Sequence, residues 1–322
     1  MTIVRSQLRR PGIRLGLLGG STAGALVLFV AVAHPARLLS GLGSLSASSI
    51  VAAVGATMAG VMLGALRWRL LLAAGGTSAP ASKLFAALTI GAAVNNLVPA
   101  RGGDAVRVES AHQLTGASRL AIAGTMVSER MLDGFVLALL VIAGALLAGA
   151  GGVFLWAGAG VAFALAAGAV LLGSQGRRLL HGRFSALGDG IAVFRVARVA
   201  APALAITAGI WLADVVMYGA LARGFHLDLS IGMVLLLVGA GNLALAVPGA
   251  AAGLGSFELV TLAGAHGIGA GGPALAAFVV AVHAVIVLPP TVTGLLLART
   301  ALPKAFRIRG RVAGAASVSL PR

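Results

Sequence analysis

The chain contains no cysteine, which excludes disulfides, thiolate chemistry and cysteine-ligated metals, and leaves the redox compartment unread. Charge is also scarce. Only 10% of the 322 residues are charged, against 59% hydrophobic, and mean hydropathy is +1.03. No stretch resembles a separate soluble domain, and long apolar runs at this density mean a polytopic membrane protein. Acids are scarcest of all: 8 Asp and Glu against 24 Lys and Arg, for a formal charge of +16. In a soluble protein that excess would suggest nucleic acid. Here the arginines flank apolar spans, so they read as topology signals and contacts with anionic membrane lipids, and no nucleic acid is expected. A Walker lysine motif, a G-x-G-x-x-G on a strand–helix unit, H-E-x-x-H and a Cys/His metal cluster are all missing. The chain carries no motor for ATP, and neither cofactor nor metal is expected.

What is present is a series of apolar spans, at 15–33, 49–66, 131–149, 152–173, 199–221, 231–248 and 272–297. Two weaker segments, 84–98 and 253–268, are short for a crossing of about 20 residues and read as half-helices or re-entrant hairpins. The first span follows Arg5, Arg9, Arg10 and Arg14 and is long for a signal-peptide core, so it is expected to be retained. Gly16, Gly20 and Gly24 give it a close-packing face, as Gly60 and Gly64 do for the second span. Arg67 and Arg69 are read as the end of that second span, with Trp68 between them as an interfacial anchor.

Basic residues concentrate at the N-terminus, in the linker 174–198 and in the tail 299–322. The positive-inside rule puts all three in the cytoplasm, hence an even number of crossings. The expected architecture is all-α: a single transmembrane domain over 1–322 with about eight transmembrane segments. Its two pseudo-repeats are 1–173 and 199–298, each with one broken helix.

The first break runs from Thr89 to Asp104 and contains Asn95, Asn96, Val98-Pro99, Arg101 and Gly102-Gly103. Non-helical backbone survives at membrane depth only where protein buries it or it lines a wet cavity. Arg101, Asp104 and Arg107 are three apart and would share a helical face and pair. Arginine binds phosphate in bidentate fashion and asparagine adds neutral donors; a simpler reading is arginines snorkelling at an interface. The second cluster is Ser128-Glu129-Arg130-Met131-Leu132-Asp133. Ser128 reads as an N-cap of the span from 131, with the acids in its first turn. Alternatively, Glu129 and Asp133 face into the bundle and pair with Arg101 or Arg107.

The second break holds Asn242, Val247-Pro248 and Gly253-Leu254-Gly255-Ser256-Phe257-Glu258. Ser256 is expected to cap a half-helix with Glu258 in its first turn, a start that favours anions. A nucleophilic reading would pair Ser256 with His266 or His283. Asp214 lies mid-span between Trp211 and Tyr218 and is a candidate proton relay or a structural partner. Pro289-Pro290 is expected to kink the last span.

The stretches Gly91 to Arg107, Ser128 to Asp133 and Pro248 to Glu258 resemble, in order, three motifs of the flippase-like transmembrane region of lysylphosphatidylglycerol synthases. The likeness runs from about residue 50 to 298, with Asp104 where that family usually has glutamate. It implies an inner-membrane protein that moves a lipid or lipid-linked molecule between leaflets, and the expected substrate is a phospholipid or polyprenyl-linked lipid. Arg101 and Arg107 would hold phosphate, Asn95 and Asn96 would line the path, and Asp104, Glu129 and Asp133 would balance charge. In the synthases a separate cytoplasmic domain makes the aminoacyl lipid. This chain closes on a basic tail, so a stand-alone transporter, not an enzyme, is expected. Homo-oligomerisation stays open, and the alternative is a membrane enzyme or accessory subunit of lipid or glycolipid modification.

Overall fold

The computed structural model describes residues 43, 45–97, 102–179, 182, 185–246 and 251–315. The span 15–33, Pro99, Arg101 and Pro248 lie outside these. The described residues are helical, with short 3-10 turns and no strand. The helices are α1 (Ala47–Ala74), α2 (Ala81–Leu97), α3 (Gly103–Thr115), α4 (Arg119–Ala148) and α5 (Gly152–Leu179). They continue as α6 (Ser185–Gly190), α7 (Ala197–Gly224), α8 (Ile231–Ala246), α9 (Ser256–Gly267) and α10 (Leu275–Ala315). Five of them, α1, α4, α5, α7 and α10, are long and apolar enough to cross a membrane. Leucines, valines and aromatics stay exposed on their outer faces, among them Val153, Trp156 and Phe163 of α5, as a lipid-facing surface requires. The weak segments appear as the short helices α2 and α9, each beside a break. α10 runs on through Pro289-Pro290.

Helix ends follow capping chemistry. The Ser46 hydroxyl accepts the Ser49 N–H to start α1, and Ser118 accepts from Ala121 to start α4. Ser118 therefore corrects the expected boundary: the cap of α4 lies ten residues before Ser128, which is buried within the helix and donates to the Gly190 carbonyl. Gly149 closes α4 in the left-handed conformation.

The bundle is built on close backbone approaches. α1 packs chiefly on α7, with Gly60 facing Ala213, while Gly64 faces Leu88 of α2, so the small-residue face works as expected. α2 packs on α10 at Gly294, where a side chain would overlap the Thr89 carbonyl. Tyr218, Phe257, Phe278, Met217 and Leu237 form the larger core, and Trp68, Leu72, Leu84 and Ile122 a second. The basic linker is not a free loop. Its α6 lies against α4 so tightly that a side chain at Gly190 would overlap the Ala121 carbonyl, and the Arg195 guanidinium holds the Gly188 carbonyl at 3.2 Å.

Candidate functional site

Four charged side chains from three helices meet inside the bundle. Arg67 of α1 grips both oxygens of Asp133 on α4, with Nη2 3.2 Å from Oδ2, and donates to Thr207 Oγ1 of α7 at 3.0 Å. Its other carboxylate neighbour is Glu129, at 3.9 Å. Arg107 of α3 reaches Glu129 Oε2 at 2.7 Å, and its guanidinium lies 4.5 Å from the centre of the Trp68 ring. Trp68 in turn donates to Thr125 Oγ1 at 3.0 Å. Arg67 and Glu129 are each 5% exposed and Trp68 is 0%. A burial this deep is tolerable because every charge has a partner.

The expectation that Glu129 and Asp133 share an inward face holds, as does Arg107 as a partner. Arg130, between them in sequence, is exposed, since adjacent helical residues do not share a face. Two expectations fail. Arg67 and Trp68 do not end a span at the interface; α1 continues to Ala74 and both are buried. Asp104 and Arg107 do not pair. Arg107 is drawn inward by Glu129 and Trp68, while Asp104 lines an outer groove with Val108, Glu109, Arg119 and Met126. In that groove the Arg119 and Gln113 side chains hydrogen-bond Glu109 and hold its carboxyl down at about 2.

The first break brings its ends together through glycine. The Gly103 N–H donates to Asn95 Oδ1 at 2.8 Å, and a side chain at Gly103 would overlap the Gly91 carbonyl. Asn95 thus caps the start of α3, the helix that carries Arg107. Asn96 turns the other way and donates to Thr291 Oγ1 of α10 at 2.8 Å.

The second break closes around Glu258. Its Oε2 accepts the Gly255 N–H at 2.8 Å, and its Oε1 lies 2.6 Å from His283 Nδ1 of α10. His283 Nε2 lies 2.9 Å from the Ala252 carbonyl. The cap of α9 is therefore Gly255 with Glu258 reaching back, not Ser256, whose hydroxyl donates to the Gly253 carbonyl. Neither histidine meets Ser256 in a nucleophilic pair: His283 is engaged as described and His266 is exposed. Asn242 back-bonds to Val238 of its own helix. The turn 251–253 packs on α2. Asp214 lies on α7, four residues before the buried Tyr218.

Sequence reasoning missed Arg67 and His283 as members of these clusters. Arg67 carried a signal, an arginine with apolar sequence on both sides, but its Arg-Trp-Arg setting mimics a membrane boundary. No curated protein matches the chain. The profile of the lysylphosphatidylglycerol synthase TM region matches residues 13–294, both breaks included, and the chain belongs to that family of multi-pass membrane proteins linked to lipid modification or translocation.

Proposed function

We propose that this protein translocates an anionic lipid, a phospholipid or a polyprenyl-linked lipid, between leaflets of the inner membrane, and that the first break holds its phosphate. The observation that carries this reading is the pair of guanidiniums converging on Glu129. Each keeps a buried Nε donor without a hydrogen-bond partner among the described residues. A buried donor left open is costly, and a phosphate offers acceptors of the right geometry. Because Arg67, Arg107, Glu129 and Asp133 cancel in charge, Glu129 acts as the resident anion that an arriving phosphate displaces from Arg107. The Asn95-capped start of α3 adds backbone donors on the same side. Arg101, from the sequence, would extend the path, and Asp214 would accept a proton beside Asp133.

The test is leaflet exchange of fluorescent phospholipid in proteoliposomes. Arg107→Lys keeps a cation beside Glu129 but loses the fork and Nε; exchange is expected to fall by about tenfold or more while the protein stays folded, because a point charge does not replace bidentate contact. Arg101→Ala should also be folded and inactive. Wild-type exchange in Arg107→Lys would overturn the reading. Orientation is checked by single-cysteine labelling, which has no background here. Ser185→Cys should react from the cytoplasmic side only and Gly151→Cys from outside only.

A further inference from the structure

The second break is held by hydrogen bonds that need one particular proton. The Ala252 carbonyl can only accept, so His283 Nε2, 2.9 Å away, carries a hydrogen. The 2.6 Å contact between Nδ1 and Glu258 Oε1 needs another, on one atom or the other. Together the pair holds one proton more than a neutral imidazole beside a carboxylate. Remove it, and a single N–H faces two acceptors. One tie must open, at a place where His283 is 3% and Glu258 5% exposed and water is a poor substitute.

The turn depends on those ties. Ala252 is a non-glycine residue at φ 57, followed by Gly253 at 76 and Gly255 at 82. Left-handed alanine persists only where its surroundings hold it. Phe257 stacks on the His283 ring, centroids 4.4 Å apart. The other titratable groups on the helices packed around the pair, taking α10 as far as Arg299, are Arg67 and Arg69 (α1), Lys83 (α2), Arg198, Asp214, Tyr218 and Arg223 (α7), His266 (α9) and Arg299 (α10). None makes a hydrogen bond or ion pair with Glu258 or His283 among the described residues. α8 and the turn carry no titratable side chain.

We propose that Glu258 and His283 form a proton-binding site that latches the second break: with the shared proton the turn 251–255 is tied to α10, and without it one tie opens. Because that turn packs on α2, the proton's arrival or departure is felt at the helix that ends in the first break. The latch stands independently of which lipid, if any, is carried.

The test reads the turn directly. A nitroxide is attached at Leu254→Cys, an exposed position inside the turn of a chain with no other cysteine. Its mobility is followed in phosphatidylcholine nanodiscs from about pH 5 to 9.5, a range bracketing an ordinary histidine. Mobility should rise with pH through a one-proton step. With Glu258→Gln added, the label should stay immobile throughout. The amide can accept from Gly255 and donate to neutral Nδ1, so all three bonds survive with no proton to lose. Flat mobility in the parent, or a Glu258→Gln protein mobile at every pH as a simple ionic brace predicts, would overturn the proposal. If Glu258→Gln does not fold, His283→Gln replaces it. That variant keeps a donor toward Ala252 and removes the titrating ring, so persistence of the pH step would refute the latch.

Discussion

Beside the first break the buried basic side chains facing carboxylates are Arg67 and Arg107; at the second it is His283. Arginine cannot shed its proton, so the first cluster must always be matched by anions, either its own carboxylates or a ligand's. Histidine, unlike arginine, can exchange its proton, which is what the proposed latch uses. Among the described residues, the first also leaves Arg67 Nε and Arg107 Nε without a hydrogen-bond partner, whereas both ring nitrogens of His283 are used. On the two proposals above, one break receives an anion and the other holds a shape.

The largest expected effect separates these chemistries. Glu129→Ala strands Arg107 and removes a partner of Arg67, and should cost about 3–5 kcal/mol, as loss of one member of a buried pair does. Glu258→Ala should cost less, about 1–3 kcal/mol, because His283 can go neutral and only hydrogen bonds are lost. Thermal unfolding in detergent, followed by size-exclusion fluorescence, measures both; equal losses would break the comparison.

Next are the glycines. Gly103→Ala forces a side chain into the Gly91 backbone and the Asn95 side chain, which should cost about 1–3 kcal/mol and slow lipid exchange. Gly253→Ala meets only the flexible end of Leu245 and an unfavourable φ of 76, for about 1–2 kcal/mol. The same melts rank the two.

Smallest is Arg119→Ala at the outer groove. Glu109 is held at about 2, below its usual 4.5, by the Arg119 and Gln113 hydrogen bonds. A depressed carboxyl contributes stability above 4.5 that fades as pH falls through about 2. Both partners are largely exposed, so the variant should melt almost like wild type near neutrality. Any difference should shrink further in acid. A large loss at neutral pH would show the groove to be part of the buried cluster.

The helices were legible because each apolar run is a local signal: 49–66, 152–173 and 199–221 fall inside α1, α5 and α7. The two breaks were legible from Pro and Gly beside Asn. The partners were not. Arg67 and Asp133 are 66 residues apart and His283 and Glu258 are 25 apart, and spacing on one helix says nothing about another. Ser128 misled because Ser-Glu-x-x-x-Asp has the composition of a helix start, while the actual cap, Ser118, precedes a less apolar stretch. Glu129 and Asp133 were read correctly because their four-residue spacing fixes a common face whichever helix they meet.

The seating of α6 has a practical consequence for anyone attaching reporters to this protein. By composition 174–198 is the obvious stretch to open for a fusion or a protease site. Yet the Gly190 carbonyl is held by Ser128, the residue immediately before Glu129, and the Gly190 backbone rests on Gly124 of the same helix. A graft there would pull α4, and with it the carboxylates that face Arg67 and Arg107. Just past the end of α4, Gly151 is exposed and a side chain added there would meet nothing within 4 Å, so this is the place where an inserted domain would leave the charged interior undisturbed.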